Sequence, residues 1–207
     1  MRVIVAALAA ASQDMGWPES KVAGPQTSAA LPCGDPWHMK LNNLEDLLHH
    51  ELQDLYSAEK QMLKALPRMT RAAFHDDLKA AFRANLRQTE MHALRLNKIA
   101  HKMDMHLGHH KCKGMEGLLK ETTELIQEEG NENVLDAALI GAAQRMEHYQ
   151  IAAYGTARSL ASRLGMQEAA ALLEDTLQEE QGADARLSGI AHGTVNDDAL
   201  AAQSHTR

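Results

Sequence analysis

The sequence predicts an all-α fold, a bundle of four long helices with a short extra helix. Its composition favours helices, because Ala, Leu and Met are abundant while aromatic residues make up only 3% of the chain. Apolar residues also recur at alternating steps of three and four in long segments, which is typical of helices packed in bundles. With 207 residues, of which 44% are hydrophobic, the chain can bury a substantial core.

The composition also excludes several classes of protein. The formal charge of −7 and the lack of a basic arm argue against a nucleic-acid-binding protein. No apolar run approaches the ~20 residues that span a bilayer, so we expect no membrane partner. Two cysteines, Cys33 and Cys112, are too few for a disulfide framework in a chain of this length, which favours a reducing cytoplasm.

Residues 1–38 stand apart from the periodic segments. They are rich in Ala, Gly, Pro and Ser, and Met39 comes directly before the first helical segment. We interpret them as a disordered leader or a mis-assigned start, and place the bundle at 39–192. A signal peptide is the alternative, because Arg2 precedes a short apolar stretch, but one charge and a stretch near the lower limit of roughly 7 residues argue against it.

The first two long helices are predicted over 42–69 and 78–103, joined by a short polar turn. Asn42 is the predicted cap of the first helix, with Glu45 three residues later. Its apolar face consists of Leu48, Leu52, Leu55, Met62, Leu66 and Met69. On the second helix, the apolar face is interrupted in its middle by Asn85, Thr89 and His92. This interruption predicts a polar chamber inside the bundle.

A long connection leads to the second pair of long helices. It contains a predicted short helix over 116–128, and the long helices follow over 134–164 and 167–192, with a flexible tail over 193–207. In the third long helix Glu147, Gln150 and Tyr154 fall at i, i+3 and i+7, on one face. Because a buried carboxylate is costly without a positive partner, this stripe faces either water or a metal ion.

The predicted helices form two hairpins joined by a long link, which is the helix order of a ferritin-like bundle. Weak internal repetition supports this interpretation, because residues 92–100 align with residues 183–191. At the same offset, Glu59 corresponds to Gln150 and Thr89 corresponds to Glu180. The chain is therefore interpreted as a duplicated helical hairpin whose polar positions coincide.

Four segments resemble the YciE/YciF family of ferritin-like proteins. They are LQDLYSAEKQMLKALPRM (52–69), KCKGMEGLLKE (111–121), DAALIGAAQRMEHYQIAAYGT (136–156) and TLQEEQGADARL (176–187). The resemblance covers about residues 41–192. It implies a ferritin-like four-helix bundle with a short helix in the crossover, a dinuclear iron or manganese site between the four long helices, and a role in stress responses.

The resemblance also assigns candidate ligands to that site. Glu59 matches the position on the first helix, and Glu147 with Gln150 matches the third, while the second and fourth helices offer a histidine and three acidic residues. The candidate metal ligands are therefore Glu59, His92, Glu147, Gln150, Glu179, Glu180 and Asp184. Three positions depart from the family pattern, in which His, Glu and Glu are frequent. They are Asn85, Gln88 and Gln150, and they predict a weakened site, a single metal ion or none.

The favoured function is that of a cytoplasmic stress-response protein that holds non-haem metal, or reacts at it with peroxide or oxygen, and forms a homodimer. The sequence leaves open whether the protein is an enzyme. The alternative is a structural or interaction bundle that acts through dimerisation of an apolar helix face and whose metal site has decayed. Gln88 and Gln150 favour this alternative. A miniature ferritin that shields DNA is a third hypothesis and requires assembly into a cage.

A separate group of histidines lies in the connection between the two hairpins. Imidazole and thiolate ligands suit zinc or copper, but the spacing matches no zinc signature, so an exposed histidine-rich linker is favoured. Cys112 is predicted to be a packed thiol beside Met115. The group consists of His101, His106, His109, His110 and Cys112.

Overall fold

This computed structural model describes residues 41–108 and 110–203 of the chain. Within these residues the chain forms six α-helices and no β-strand. The interpretation of residues 1–38 therefore concerns residues outside this part of the chain. The helices are α1 (Leu44–Ala72), α2 (Asp76–Lys102), α3 (Lys113–Ile126), α4 (Glu132–Arg163), α5 (Gln167–Ile190) and α6 (Asn196–Gln203). The all-α prediction and the short crossover helix, α3, are confirmed.

The four long helices form a closed ring. Helix α1 packs against α2 and α4, and α5 also packs against α2 and α4. The ends of the helices follow local sequence signals. The side chain of Asn43, one residue after the predicted cap, accepts a hydrogen bond from the Asp46 amide at 2.8 Å, while Gly165 has a positive φ of 74° and allows the tight turn between α4 and α5. Within residues 41–108 and 110–203, no helix is both long and apolar enough to cross a membrane.

The apolar core has two halves, one towards each end of the bundle. One half contains Met62, Leu66, Phe82, Ile140 and Met146. The other contains Leu48, Leu52, Leu96, Ile99 and Leu173. Between the two halves lies a layer of buried polar side chains, which is the polar chamber predicted from the second helix. Its members are Glu59, Asn85, Thr89, His92, Glu147, Gln150, Thr176 and Glu180.

The C-terminal segment extends the bundle beyond the predicted boundary. A π-helical turn, Ala191–Val195, carries the chain from α5 into α6. Val195 and Ala199, four residues apart, are both buried, and α6 packs against α4. Over 193–203 the predicted flexible tail therefore differs from the structure, in which helix continues as far as Gln203, while residues 204–207 lie outside the described part of the chain. The difference arises because this short apolar pair is too weak a signal to predict a helix.

The crossover helix α3 is held by a hydrogen-bond network at its first turn. The Cys112 amide donates to Ser57 Oγ at 2.8 Å, and the Cys112 thiol lies 2.9 Å from the Tyr149 hydroxyl. Tyr149 in turn donates to Asp54. Cys112 is fully buried, and its sulfur accepts a hydrogen bond from the Met115 amide at 3.3 Å, so the predicted packed thiol is confirmed.

Two glycines of α3 provide a test of this anchoring. A Cβ atom added at Gly114 would lie 2.7 Å from Cε2 of Tyr149, whereas one at Gly117 would meet nothing within 4 Å. Because hydrogen bonds hold the Tyr149 ring, we expect Gly114→Ala to lower the free energy of unfolding by about 1–3 kcal/mol. Gly117→Ala should raise it by up to about 1 kcal/mol, because alanine favours helix. Chemical denaturation of both variants measures these changes in the free energy of unfolding. Equal stabilisation by both substitutions would contradict the close packing of Gly114 against Tyr149.

Candidate metal centre

The polar layer brings ligand atoms from three helices to one point. One ligand atom each of Glu59 on α1, His92 on α2 and Glu180 on α5 lie within 4.8 Å of one another, and all three residues are buried. Nδ1 of His92 is 3.2 Å from Oε1 of Glu180 and 3.5 Å from Oε1 of Glu59. Within residues 41–108 and 110–203, these three residues, hereafter the buried triad, form the one group with this geometry.

Helix α4 contributes hydrogen-bond donors to the two glutamates of the triad. The amide nitrogen of Gln150 donates to Oε1 of Glu59 at 3.0 Å and to Oε1 of Glu180 at 2.9 Å. The Tyr154 hydroxyl also donates to Oε1 of Glu59, at 2.6 Å. The predicted stripe of α4 therefore faces the interior. The side-chain oxygen of Gln150 has no hydrogen-bond partner.

Glu147 occupies the same layer, one helical turn from Gln150. Its Oε1 accepts a hydrogen bond of 2.5 Å from the side-chain amide of Asn85, and its Oε2 has no partner. Thr89 donates to the Asn85 oxygen at 3.3 Å. Glu147 is close enough to Glu180 for the charge of one carboxyl group to affect the pKa of the other. A third buried carboxyl group therefore lies beside the triad.

The second nitrogen of His92 points away from the triad. Its Nε2 lies 2.8 Å from Oε2 of Glu179, which Arg95 holds through two hydrogen bonds of 2.7 and 2.8 Å. Those bonds from Arg95 lower the pKa of Glu179, so this carboxylate can only accept a hydrogen bond. The Nε2 atom must therefore carry the donated proton, which leaves Nδ1 to face Glu59 and Glu180.

Two predicted ligands, Glu179 and Asp184, lie outside the buried polar layer, and so does Gln88, one of the positions that depart from the family pattern. Glu179 stands behind His92 rather than beside Glu59. Asp184 is partly exposed and accepts a hydrogen bond of 3.0 Å from Gln144. Gln88 is near the surface, where its oxygen accepts a hydrogen bond from Arg186 at 3.1 Å. The sequence did not indicate Arg95, because its pairing with Glu179 joins two helices and leaves no local pattern.

Burial and mutual repulsion favour protons on this layer. Burial raises the pKa of Glu147 well above its ordinary value of 4.5, and the charge of Glu180 raises it further. Burial likewise raises the pKa of Glu59. For His92, burial lowers the pKa, but the adjacent Glu180 and Glu59 carboxyl groups outweigh burial and raise it to about 10. Without a cation, an imidazolium at His92 therefore supplies the positive charge.

The polar layer contains unpaired donor atoms that fit a cation. Within the described ranges, buried side-chain polar atoms without a hydrogen-bond partner are few, and four of them belong to this layer. They are Glu59 Oε2, His92 Nδ1, Glu147 Oε2 and Gln150 Oε1. Buried polar atoms are almost always hydrogen-bonded or bound to an ion. Carboxylate and amide oxygens with one imidazole nitrogen suit Mn²⁺ or Fe²⁺, so the donor set fits a divalent cation.

The histidine-rich connection is arranged differently. Nε2 of His110 lies 2.8 Å from Oδ1 of Asp54, and the His110 ring meets the edge of His50 with centroids 5.3 Å apart. His101 and His106 are exposed, and His109 lies outside the described residues. Cys112 contacts Tyr149 rather than a histidine. The exposure of His101 and His106 is that of the predicted exposed linker, whereas His110 is partly buried against Asp54 and Cys112 is fully buried.

Fold and site together define the class of protein, a ferritin-like all-α bundle with a carboxylate–histidine group in its core. Residues 43–200 match the family described as a domain of unknown function, DUF892. The chain is also 42% identical over 159 residues to Protein YciF of Escherichia coli strain K12, a match that covers 76% of this chain and 96% of that protein. The chain therefore belongs to the YciF family, and the predicted resemblance is confirmed.

Solved structures agree with this assignment. The crystal structure of the E. coli stress protein YciF matches with a TM-score of 0.72 and 42% identity, over 75% of this chain and 98% of that one. YcfI from Rhodopseudomonas palustris, described as "a putative structural protein", matches with a TM-score of 0.70 and 36% identity, over 73% and 97%. A Xanthomonas campestris protein, 19% identical with a TM-score of 0.62 over 78% and 99%, shares the fold.

The raised pKa of Glu147 predicts how stability depends on pH. The native state binds this proton more tightly than the unfolded state, so its contribution is present below pH 4.5 and is lost as pH rises through the native pKa. Metal-free protein should therefore lose stability as the pH rises above about 5 towards the raised native pKa of Glu147. We expect Glu147→Gln, which keeps an acceptor for Asn85 but cannot ionise, to lose less over this range.

Glu168→Gln is the matched control for that measurement. Glu168 is exposed, and hydrogen bonds from Lys102 and Lys98 lower its pKa, so its contribution is constant above pH 5. Thermal or denaturant unfolding with a chelator present, repeated across the pH range, gives the slope of the free energy of unfolding against pH for each protein. If Glu147→Gln and wild type lose stability in parallel, Glu147 does not hold the proton.

Proposed function

We propose that this protein is a stress-response protein that holds one divalent metal ion, iron or manganese, in the centre of its bundle. The observation that carries the proposal is the convergence of Glu59, His92 and Glu180 in a fully buried layer, within 4.8 Å of one another. Burying two carboxyl groups this close together is unfavourable unless a cation or protons offset the charge. A divalent ion bound by two carboxylates and a neutral imidazole would leave no net charge.

The charge and the donor count favour one ion over the dinuclear site implied by the resemblance. A dinuclear site of the usual kind draws on four glutamates and two histidines. This layer has three buried glutamates and one histidine, and Gln150 stands where a fourth carboxylate would be needed. Glu147, whose pKa is strongly raised in the metal-free chain, is a third carboxyl group beside the triad. Its free oxygen and that of Gln150 are additional oxygen donors.

Residues around the triad would set the properties of the bound ion. Glu179 and Arg95 hold His92 by Nε2, which keeps Nδ1 directed at the site. Gln150 and Tyr154 hold Glu59 through hydrogen bonds to the same oxygen, Oε1. When bound, iron or manganese would supply one-electron chemistry towards peroxide or oxygen. The protein residues position the ligands and exclude bulk water.

A structural role without metal is the second candidate. Gln150 already joins Glu59 and Glu180 by hydrogen bonds, so the layer is connected without a cation. The description of YcfI as structural agrees with this candidate. In this case a homodimer would act through an apolar surface, and Met91 and Leu94, which are 50% and 60% exposed on α2, are candidates for that contact. A cytoplasmic location is part of both proposals.

Metal analysis separates the two candidates. After anaerobic loading with Fe²⁺ or Mn²⁺ and removal of free ions, we expect about one ion per chain in the wild type. Glu59→Gln and Glu180→Gln should abolish uptake, while Glu174→Gln, whose partner is Arg158 on the surface, should not. A wild-type content below about 0.2 ions per chain would contradict metal binding, because a tight site fills almost completely.

Stability of the same variants without metal gives an independent result. If the glutamates serve to bind metal, Glu180→Gln should raise the free energy of unfolding of the metal-free protein, because a buried acid is replaced by a neutral group. If the glutamates serve structure, the same change should lower it by about 1–3 kcal/mol, because the charge-assisted contact between Glu180 and His92 is lost. Denaturant unfolding with a chelator present measures whether the free energy of unfolding rises or falls, and this decides between the two candidate functions.

Glu179 is expected to tune affinity rather than to bind the ion. Glu179→Gln weakens the paired charges that orient His92 and should raise the dissociation constant by about 10–100-fold while the stoichiometry stays the same. Titration calorimetry with Mn²⁺ measures both quantities, again with Glu174→Gln as control. Complete loss of binding would show instead that Glu179 is itself a ligand.

A further inference from the structure

The triad is sealed from solvent, so any molecule that reaches it must pass between helices. Glu59 and His92 are 0% exposed and Glu180 is 1% exposed. On the seam between α2 and α5 there is a narrow cleft of ≈ 10 Å³, lined by Ala81, Phe82, Asn85, Ala183, Arg186 and Leu187. A volume of roughly 10–15 Å³ is enough for one water molecule. The cleft therefore has room for about one water molecule.

Two alanines create this cleft. Ala81 on α2 and Ala183 on α5 line its walls, and each contributes only a methyl group. The floor of the cleft is Asn85, whose amide donates to Glu147 at 2.5 Å, and the second oxygen of Glu147 has no partner. The cleft thus ends at Asn85, which is itself a member of the polar layer and contacts Glu147.

The outer end of the cleft carries a positive charge. Arg186, which is exposed, lines the cleft and donates a hydrogen bond to Gln88 at 3.1 Å, so the guanidinium group bridges α5 and α2. A guanidinium group repels cations. Hydrated divalent ions are also much larger than one water molecule, because they keep several waters. The charge and the size of the cleft therefore favour small uncharged molecules over metal ions.

We propose that this cleft is the path by which a small uncharged oxidant, hydrogen peroxide or dioxygen, reaches the polar layer, with Asn85 as the last side chain on the path. The inference rests on the proposed function for its purpose, because an oxidant has a target there only if metal is bound. The path itself is a property of the metal-free chain. It can therefore be tested separately.

The test places a reporter thiol at the floor of the cleft and uses hydrogen peroxide as the probe. In metal-free Asn85→Cys protein, one peroxide oxygen is transferred to the new sulfur, the O–O bond breaks and water leaves, so the thiol becomes a sulfenic acid. Mass spectrometry of the separated peptides follows this reaction over time. Cys112, buried beneath α3, is the internal reference.

Ala183→Leu, added to the reporter, fills the cleft and should slow oxidation of the reporter thiol at least about tenfold, because local opening of the helices becomes the remaining route. Ala170→Leu is the matched control, since Ala170 is also a buried alanine of α5 but packs in the opposite half of the core. It should leave the rate unchanged. If Ala183→Leu prevents folding, Ala81→Leu fills the cleft from the other wall.

Equal oxidation rates in the filled and unfilled proteins would overturn the path, and so would a reporter that reacts no faster than Cys112. Neither result depends on metal, so failure of the path and failure of the proposed function are distinguishable. In protein that binds Mn²⁺ or Fe²⁺, Ala183→Leu should keep the ion content of the wild type. A loss of bound ion in this variant would show that the cleft serves the metal site itself and would also overturn the proposal.

Discussion

Three carboxyl groups buried at mid-height in a four-helix bundle are the constraint on which the rest of the structure depends. Glu59, Glu147 and Glu180 are each at most 1% exposed. Their negative charges cannot coexist in a dry interior without protons or a cation. The neighbouring polar residues offset part of this negative charge, because Gln150, Tyr154 and Asn85 donate hydrogen bonds to the carboxyl groups. His92 adds an ionisable nitrogen that faces the group.

The division of the core explains how the bundle tolerates this layer. Apolar halves on either side contain large fully buried side chains such as Leu52, Phe82 and Leu96, and their burial provides the driving force for folding. The middle layer could be apolar as well, and buried ion pairs replaced by apolar residues often leave a protein as stable or more stable. The proposed bound ion would give the three acids and the histidine a role that stability alone does not require.

Much of the fold could be predicted from the sequence, because helix periodicity and end signals are local. The internal repeat also indicated parts of the site, since positions 59 and 150, and positions 89 and 180, all lie in the buried layer. Glu179 and Asp184 could not be ranked against Glu180 in this way. A residue four positions along a helix is rotated by only about 40°, so the sequence cannot decide whether Asp184 shares the inward face. Contacts between helices, such as Arg95 with Glu179, leave no pattern at all.

Membership of the YciF family places this chain beside a relative described as a stress protein and another described as structural. For this chain, the choice between the two candidate functions depends on whether the buried triad holds a cation. Anomalous diffraction from crystals grown with Mn²⁺ is the most direct measurement. Metal binding predicts a peak within bonding distance, about 2.0–2.3 Å, of Glu59, His92 and Glu180. A layer without any peak, in crystals where surface sites are occupied by Mn²⁺, would contradict it.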